Sequence, residues 1–223
     1  MDLIEYPDAE LMMMRLADVL ASQIKQALLT QDRASLAVPG GTTPGPIFDT
    51  LCAVDLDWSR VDVLLTDERW VPETSDRSNT ALLRRRLLVN RAAAARLIPL
   101  YADAQAPEDR LADLAAGLEP VLPLSVVLLG MGADMHTASL FAGADQLELA
   151  LTGDAPLVAM RAPGAPEPRI TLSAAVLNAA MRRHIVIVGA EKRAALDQAQ
   201  GLDPQDAPVA AVLKDTTVHW AEA

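Results

Sequence analysis

The stretch from Ser125 to Phe141 constrains the chain most tightly. Val126 to Leu129 is apolar at every position, without the alternation that marks a sheet face open to water. Such a run reads as a parallel strand covered on both faces. It passes into Gly130 and Gly132, where the backbone is free to turn tightly, and a helix start is expected beyond. Asp134 and His136 then sit at a strand's carboxyl end, the edge where open α/β sheets bind ligands. A carboxylate beside an imidazole fixes its tautomer and raises its basicity, which makes His136 a candidate general base. A lone histidine is more often structural or solvated; its place in a glycine-bearing, strand-end loop is what argues otherwise.

A chain of 223 residues that is 51% apolar has material for a sizeable core without disulfides or a structural metal, and one domain over residues 1–223 is expected. Cys52 is the only cysteine, in an apolar helix-like stretch where a buried, inert thiol is the default. Asp2, Glu5, Asp8 and Glu10 stand where a signal peptide would be basic, and no apolar run reaches membrane-spanning length. A cytoplasmic protein with no membrane partner is the expectation. A net charge of −11 argues against nucleic acid as a partner. It leaves room for a small anion only where Arg, Lys and backbone N–H donors cluster locally.

Several segments offer such donors. Residues 8–29 carry an apolar face at helical spacing with Asp8 as N-cap, and the strand Ser35–Val38 follows. It runs into Pro39–Gly40–Gly41–Thr42–Thr43–Pro44, whose successive N–H groups and hydroxyls suit a phosphate, with Pro44 in the first turn of a helix through Leu51. The same residues also make an ordinary strand-to-helix turn. They match neither the P-loop nor the dinucleotide fingerprint. A third strand, Val61–Thr66, ends on Asp67–Glu68–Arg69; the two carboxylates point to opposite sides if the strand continues, so at most one faces a shared pocket. Arg69 binds an anion or pairs with a neighbouring carboxylate. Ser78 and Asn79 offer caps for a helix through Leu88.

Further on, short strands are expected at Ile98–Leu100 and Leu157–Met160, a helix from near Pro107, and a short helix or loop over 145–153. Arg169–Ser173 leads into a helix through Ala180, and Ile185–Val188 is a strand opened by a structural His184. The turn Gly189–Lys192 begins another helix, where Lys192 opposes the macrodipole unless an anion is shared with the helix end. Val209–Leu213 and Val218–Trp220 read as terminal strands. Three scattered histidines and one cysteine give no metal-ligand spacing.

Taken together, Pro39–Pro44, Thr66–Pro72 with Ser78–Asn79, Gly130–Phe141, and Arg169–Leu172 followed by Gly189–Lys192 resemble the 6-phosphogluconolactonases, within the wider group of sugar-phosphate isomerases and deaminases. The resemblance spans nearly the whole chain. It implies a modified Rossmann-like α/β fold, a mainly parallel sheet flanked by helices. It implies hydrolysis of 6-phospho-D-glucono-1,5-lactone in the oxidative pentose phosphate pathway, without a cofactor or metal and with the sugar-phosphate lactone as partner. It places Gly40, Gly41, Thr42, Thr43, Arg169 and Lys192 around the 6-phosphate and Asp67 on sugar hydroxyls. His136 becomes the base that activates water, Asp134 its orienting partner, and Arg69 or loop N–H groups the oxyanion donors.

Met135 stands where this family usually has glycine, at a cost of about 1–2 kcal/mol if the position is left-handed. Ala142 replaces a common proline. The related deaminases carry a glutamate five positions after the histidine, where this chain has Phe141. A sugar-phosphate sensor without catalysis is the rival from another class, and the chain has no evident output module for it.

Overall fold

The computed structural model describes all 223 residues. In chain order the elements are β1 (Asp2–Tyr6), α1 (Ala9–Leu28), β2 (Ala34–Val38), α2 (Gly45–Leu51), β3 (Val61–Leu65), β4 (Asp67–Arg69), α3 (Asn79–Arg86), β5 (Arg96–Leu97) and α4 (Leu111–Leu118). The second half adds β6 (Val126–Gly130), α5 (Leu147–Thr152), β7 (Leu157–Met160), β8 (Arg169–Leu172), α6 (Ala174–Ala179), β9 (Arg182–Val188), α7 (Ala190–Ala199) and β10 (Thr217–Ala221). Seven strands form an all-parallel sheet in the order β1-β10-β9-β6-β2-β3-β5, and β4, β8 and β7 form a small antiparallel sheet.

The central strands explain their own placement. β2 and β3 are buried at all five positions and β6 at four, as a sheet with both faces covered requires. Along α1, Met12, Met13, Leu16, Ala17, Leu20, Ala21, Ile24 and Ala27 make the buried face, at the expected three-and-four spacing. Asp8 caps this helix by accepting from the N–H of Leu11 at 2.7 Å. Apolar residues of the small sheet, including Leu157, Met160, Ile170 and Leu172, join the same core as those of the large one.

The element types of most of the chain follow the sequence reading, and Cys52 is buried as expected. Five points differ. No helix starts after His136: residues 131–146 are irregular and α5 begins only at Leu147. Left-handed backbone at Met135 (φ 65°) and Ala138 (φ 48°) interrupts any helical run there. The third strand ends at Leu65 rather than Thr66; the chain leaves the large sheet at Thr66, and Asp67–Arg69 is a separate strand, β4, that pairs antiparallel with β8 in the small one. Thr66 joins the sheets, its N–H donating to Val38 O and its C=O accepting from Leu172, both at 2.9 Å. Val209–Leu213 is not a strand, because a 3-10 turn over Pro208–Val212 begins with a proline that lacks the ladder donor. The strand expected at Ile98 falls at Arg96–Leu97, and Pro44 precedes α2 rather than opening it. The edge strand β1, short and mostly exposed, pairs with β10.

His184 and His219 are structural, as the sequence suggested. Tyr6 OH lies 2.9 Å from His219 Nδ1, His219 Nε2 lies 3.0 Å from His184 Nδ1, and His184 Nε2 lies 2.8 Å from Gln23 Oε1. The Gln23 oxygen accepts only, so each member donates to the next: Tyr6 to His219, His219 to His184, His184 to Gln23. The chain of bonds ties β1, β10, β9 and α1 together, and in this direction each imidazole donates at Nε2 and accepts at Nδ1, as a neutral ring does. Burial, helped by Arg182, pushes His184 down to about 4; burial, helped by His184, pushes His219 down to about 4.

Unfolded imidazoles bind a proton near 6.5, so between 6.5 and about 4 the unfolded chain holds more protons than the folded one. Stability from this pair is complete above pH 6.5 and is lost as pH falls toward 4. Melting temperature is therefore expected to hold steady from pH 8 to 7 and to drop below about 6.5. In the double variant His184→Gln/His219→Gln, the slope in that window should disappear even if absolute stability is lower.

Candidate active site

Strand order reverses between β2 and β6. From β2 the chain builds outward through β3 to β5, then returns to place β6 on the other side of β2 and builds outward again through β9. The carboxyl ends of β2 and β6 therefore stand side by side at a topological switch point, where connections diverge and leave a crevice. The loop Pro39–Pro44 leaves β2 there, and the loop carrying His136 leaves β6. β4 and β8 bring Asp67, Arg69 and Arg169 to the same place, and α7 brings Lys192. All of these, with Gly40, Gly41, Thr42, Thr43 and His136, line one cavity of about 280 Å³. Asp134 does not line it and lies behind the His136 ring.

His136 Nδ1 is 2.5 Å from Asp134 Oδ1, and the same oxygen accepts from the His136 backbone N–H at 3.3 Å. With Nδ1–H donating to the carboxylate, Nε2 is the ring's free acceptor. Burial opposes ionisation of Asp134, but the His136 bond and charge outweigh it and hold its carboxyl below the usual value. The imidazole stacks on Phe141, with centroids 4.2 Å apart and planes 23° from parallel. Gly132 makes room for the pair: a Cβ there would stand 2.3 Å from both Asp134 Oδ1 and His136 Nδ1.

The loop is held against strain. Met135 is left-handed, so the cost attached to a side chain at that position applies, about 1–2 kcal/mol. The Val209 N–H donates to Met135 O at 3.0 Å, Gly132 N–H to His136 O at 3.0 Å, and Thr137 Oγ1 to Gly130 O at 2.8 Å. Those bonds over-determine the loop's path.

The same cavity gathers positive charge. The β4–β8 register sets Arg69 directly across from Arg169, a like-charge pairing that a sheet normally avoids. Arg69 Nη1 donates to Arg77 O at 2.7 Å, and its Nε stands 3.6 Å from Glu167. Arg169 Nη1 stands 3.7 Å from Asp67 Oδ2, and burial pushes the Arg169 guanidinium below its ordinary value despite that carboxylate. The Nε atoms of these two arginines are the buried side-chain nitrogens and oxygens that find no hydrogen-bond partner. Such donors suit an anion.

Asp67 and Glu68 point to opposite sides, as strand alternation requires. Asp67 faces the cavity. Glu68 is fully buried, accepting from the N–H groups of Arg69, Asn79 and Thr80 at 2.8, 2.9 and 2.7 Å and from Thr80 Oγ1 at 2.7 Å. Burial drives its carboxyl above the usual value although these donors hold it down. Every one of those partners donates, so the arrangement is built for the carboxylate. It anchors the backbone of Arg69 to the start of α3, which Ser78 caps.

Asn79 is a cavity residue that the sequence offered only as a helix cap. Its Nδ2 donates to Asp67 O at 3.2 Å, and its amide lies where a Cβ on Gly40 would fall, 2.2 Å away. That contact, invisible in sequence, requires glycine at position 40. Gly41 is left-handed (φ 84°), which requires glycine for a different reason.

The sequence model of the glucosamine-6-phosphate isomerases/6-phosphogluconolactonase family matches residues 7–220. The chain belongs to this family. It is 43% identical over 211 residues to a 6-phosphogluconolactonase of Pseudomonas aeruginosa, covering 92% of this chain and 88% of that one. With a 6-phosphogluconolactonase of Rhizobium meliloti it shares 41% identity over 215 residues, 92% of each chain. The crystal structure of a 6-phosphogluconolactonase from Shewanella baltica superposes with a TM-score of 0.95 at 36% identity, over 99% of this chain and 97% of that one. A monomeric glucosamine-6-phosphate deaminase shares the fold, with a TM-score of 0.82 at 17% identity over 99% of this chain and 97% of that one. The α/β architecture is thus that of the family. No helix is long and apolar enough to cross a membrane.

Replacing Glu68 by Gln turns an amide NH₂ toward a site lined by three backbone N–H donors. A loss of about 2–3 kcal/mol of stability is expected in urea unfolding, the cost of leaving buried donors unpaired. An unchanged midpoint would show that the carboxylate is not the group those donors need.

Proposed function

We propose that this chain hydrolyses 6-phospho-D-glucono-1,5-lactone to 6-phospho-D-gluconate, the lactone step of the oxidative pentose phosphate pathway, with His136 as general base. The enzyme type, a carboxylic ester hydrolase of the 6-phosphogluconolactonase kind, rests on the family and its run of lactonase relatives. One observation carries the finer reading: an imidazole tied to a carboxylate at 2.5 Å shares a cavity with the side chains of Arg69, Arg169 and Lys192.

In this reading the 6-phosphate is gripped by the N–H groups and hydroxyls of Gly40–Thr43 together with Arg169 and Lys192. The grip orients the lactone carbonyl. Nε2 of His136 takes a proton from water as its oxygen attacks that carbonyl, and Asp134 stabilises the imidazolium that forms. Negative charge developing on the carbonyl oxygen is met by Arg69 or by loop N–H groups. Collapse breaks the bond to the ring oxygen, which takes the proton back from His136, and leaves the free acid to ionise. A lactone is already an activated ester, so a positioned base worth roughly 10²–10⁴-fold and a fixed orientation suffice. A deaminase or isomerase must also shuttle protons between carbons, and position 141 offers a ring stacked on His136 rather than a third acid/base group.

The decisive test is the rate of 6-phosphogluconate formation from freshly made lactone, corrected for spontaneous hydrolysis. His136→Ala is expected to lose roughly 10²–10⁴-fold in kcat. A wild-type protein that adds nothing to the spontaneous rate would remove the lactonase reading. Gly132→Ala should fold normally yet lose about 10²-fold in kcat/KM, because its methyl displaces the Asp134–His136 pair; full activity in that variant would mean the pair's geometry does not matter.

A further inference from the structure

Ser139 lies on the His136 loop, fully buried and unused by the chemistry described above. Its hydroxyl donates to Asp67 Oδ2 at 2.6 Å and accepts from Arg169 Nη1 at 3.5 Å. Its backbone N–H donates to Thr171 Oγ1 at 3.2 Å. One residue of the His136 loop thus touches two separate strands, β4 at Asp67 and β8 at Arg169 and Thr171. The direct approach of Arg169 Nη1 to Asp67 Oδ2 is 3.7 Å, well outside the 2.7–2.9 Å or so of a charge-assisted hydrogen bond. A carboxylate and a guanidinium that close, in a pocket where water screens poorly, attract strongly. The pair is an ion pair that stops short of hydrogen-bond contact. The Ser139 oxygen stands against both groups.

We propose that Ser139 is a positioning residue: by holding the Asp67 carboxylate it keeps Asp67 from closing on Arg169, and so leaves the Arg169 guanidinium turned toward the substrate's phosphate. The identity of that anion rests on the lactonase reading above. Asp67 is then an internal counter-charge, spaced from Arg169 by a hydroxyl, in addition to any contact it makes with the sugar. A different role would be simple anchoring of the base loop. Anchoring predicts damage to His136 and therefore to kcat, whereas positioning of Arg169 predicts damage to binding.

Ser139→Ala separates the two. With the hydroxyl gone, KM for the lactone and the calorimetric Kd for 6-phosphogluconate are both expected to rise roughly tenfold, the scale of one charge-assisted hydrogen bond, with kcat within about two-fold of wild type. In an Asp67→Asn background there is no carboxylate left to close on Arg169. Adding Ser139→Ala there should change KM and Kd by less than about two-fold. A fall in kcat with KM and Kd unmoved would overturn the proposal in favour of loop anchoring. So would effects of the two substitutions that simply multiply. Should the alanine variant not fold, Ser139→Cys keeps the volume with a much weaker donor and carries the same expectations. A wild type that binds 6-phosphogluconate but does not turn over the lactone sinks the lactonase reading alone, and the Kd values then decide the present one. A wild type that binds neither 6-phosphogluconate nor inorganic phosphate overturns both.

Discussion

The reversal of strand order between β2 and β6 is the constraint on which the site depends. Parallel strands present all their carboxyl ends on one side, so the loops after β2 and β6 emerge together, and the diverging connections leave the crevice between them. The glycine-rich Pro39–Pro44 segment and the His136 loop meet for that reason. The small antiparallel sheet is the second device. By leaving the large sheet at Thr66, the chain turns Asp67 and Arg69 over the crevice instead of extending β3 past it. Pairing with β8 then delivers Arg169 opposite Arg69.

An acidic chain that gathers positive charge in one cavity does so at visible expense. Two guanidiniums face each other across a strand pair, and left-handed non-glycine residues flank the histidine on both sides. Surrounding bonds absorb these costs. Glu68 anchors the Arg69 backbone to the start of α3, Val209 and Thr137 fix the base loop, and Asp67 with Ser139 balances Arg169. Backbone strain of this kind persists only where the surrounding bonds over-determine it.

Much of this was legible in the sequence where the cause is local. An apolar run without alternation marks a doubly covered strand, helical spacing marks α1, and a serine or aspartate before such spacing marks a cap; β2, β3, β6, α1 and α3 followed those rules. What misled was equally physical. Nothing local marks Asp67–Arg69 as a strand of a second sheet; pairing with Arg169–Thr171 makes it one. The expected helix after His136 fails because loop bonds and left-handed residues outweigh the local propensity of Thr137–Phe141. Asn79 read as a cap, and only its approach to Gly40 reveals a wall of the cavity.

Residue chemistry was therefore determined by the sequence alone: an imidazole with a carboxylate two residues away, paired glycines before two threonines, and arginines and a lysine at element ends. Those features are short-range, and the backbone geometry each allows is set by its immediate neighbours. Their meeting was decided by the tertiary structure. Ser139 and Asp67 are 72 residues apart and joined at 2.6 Å, while Ser139 and Arg169 are 30 apart. Contacts at such separations exist only once strand order and register are chosen, and those are settled by burial of the whole core rather than by any one stretch of chain.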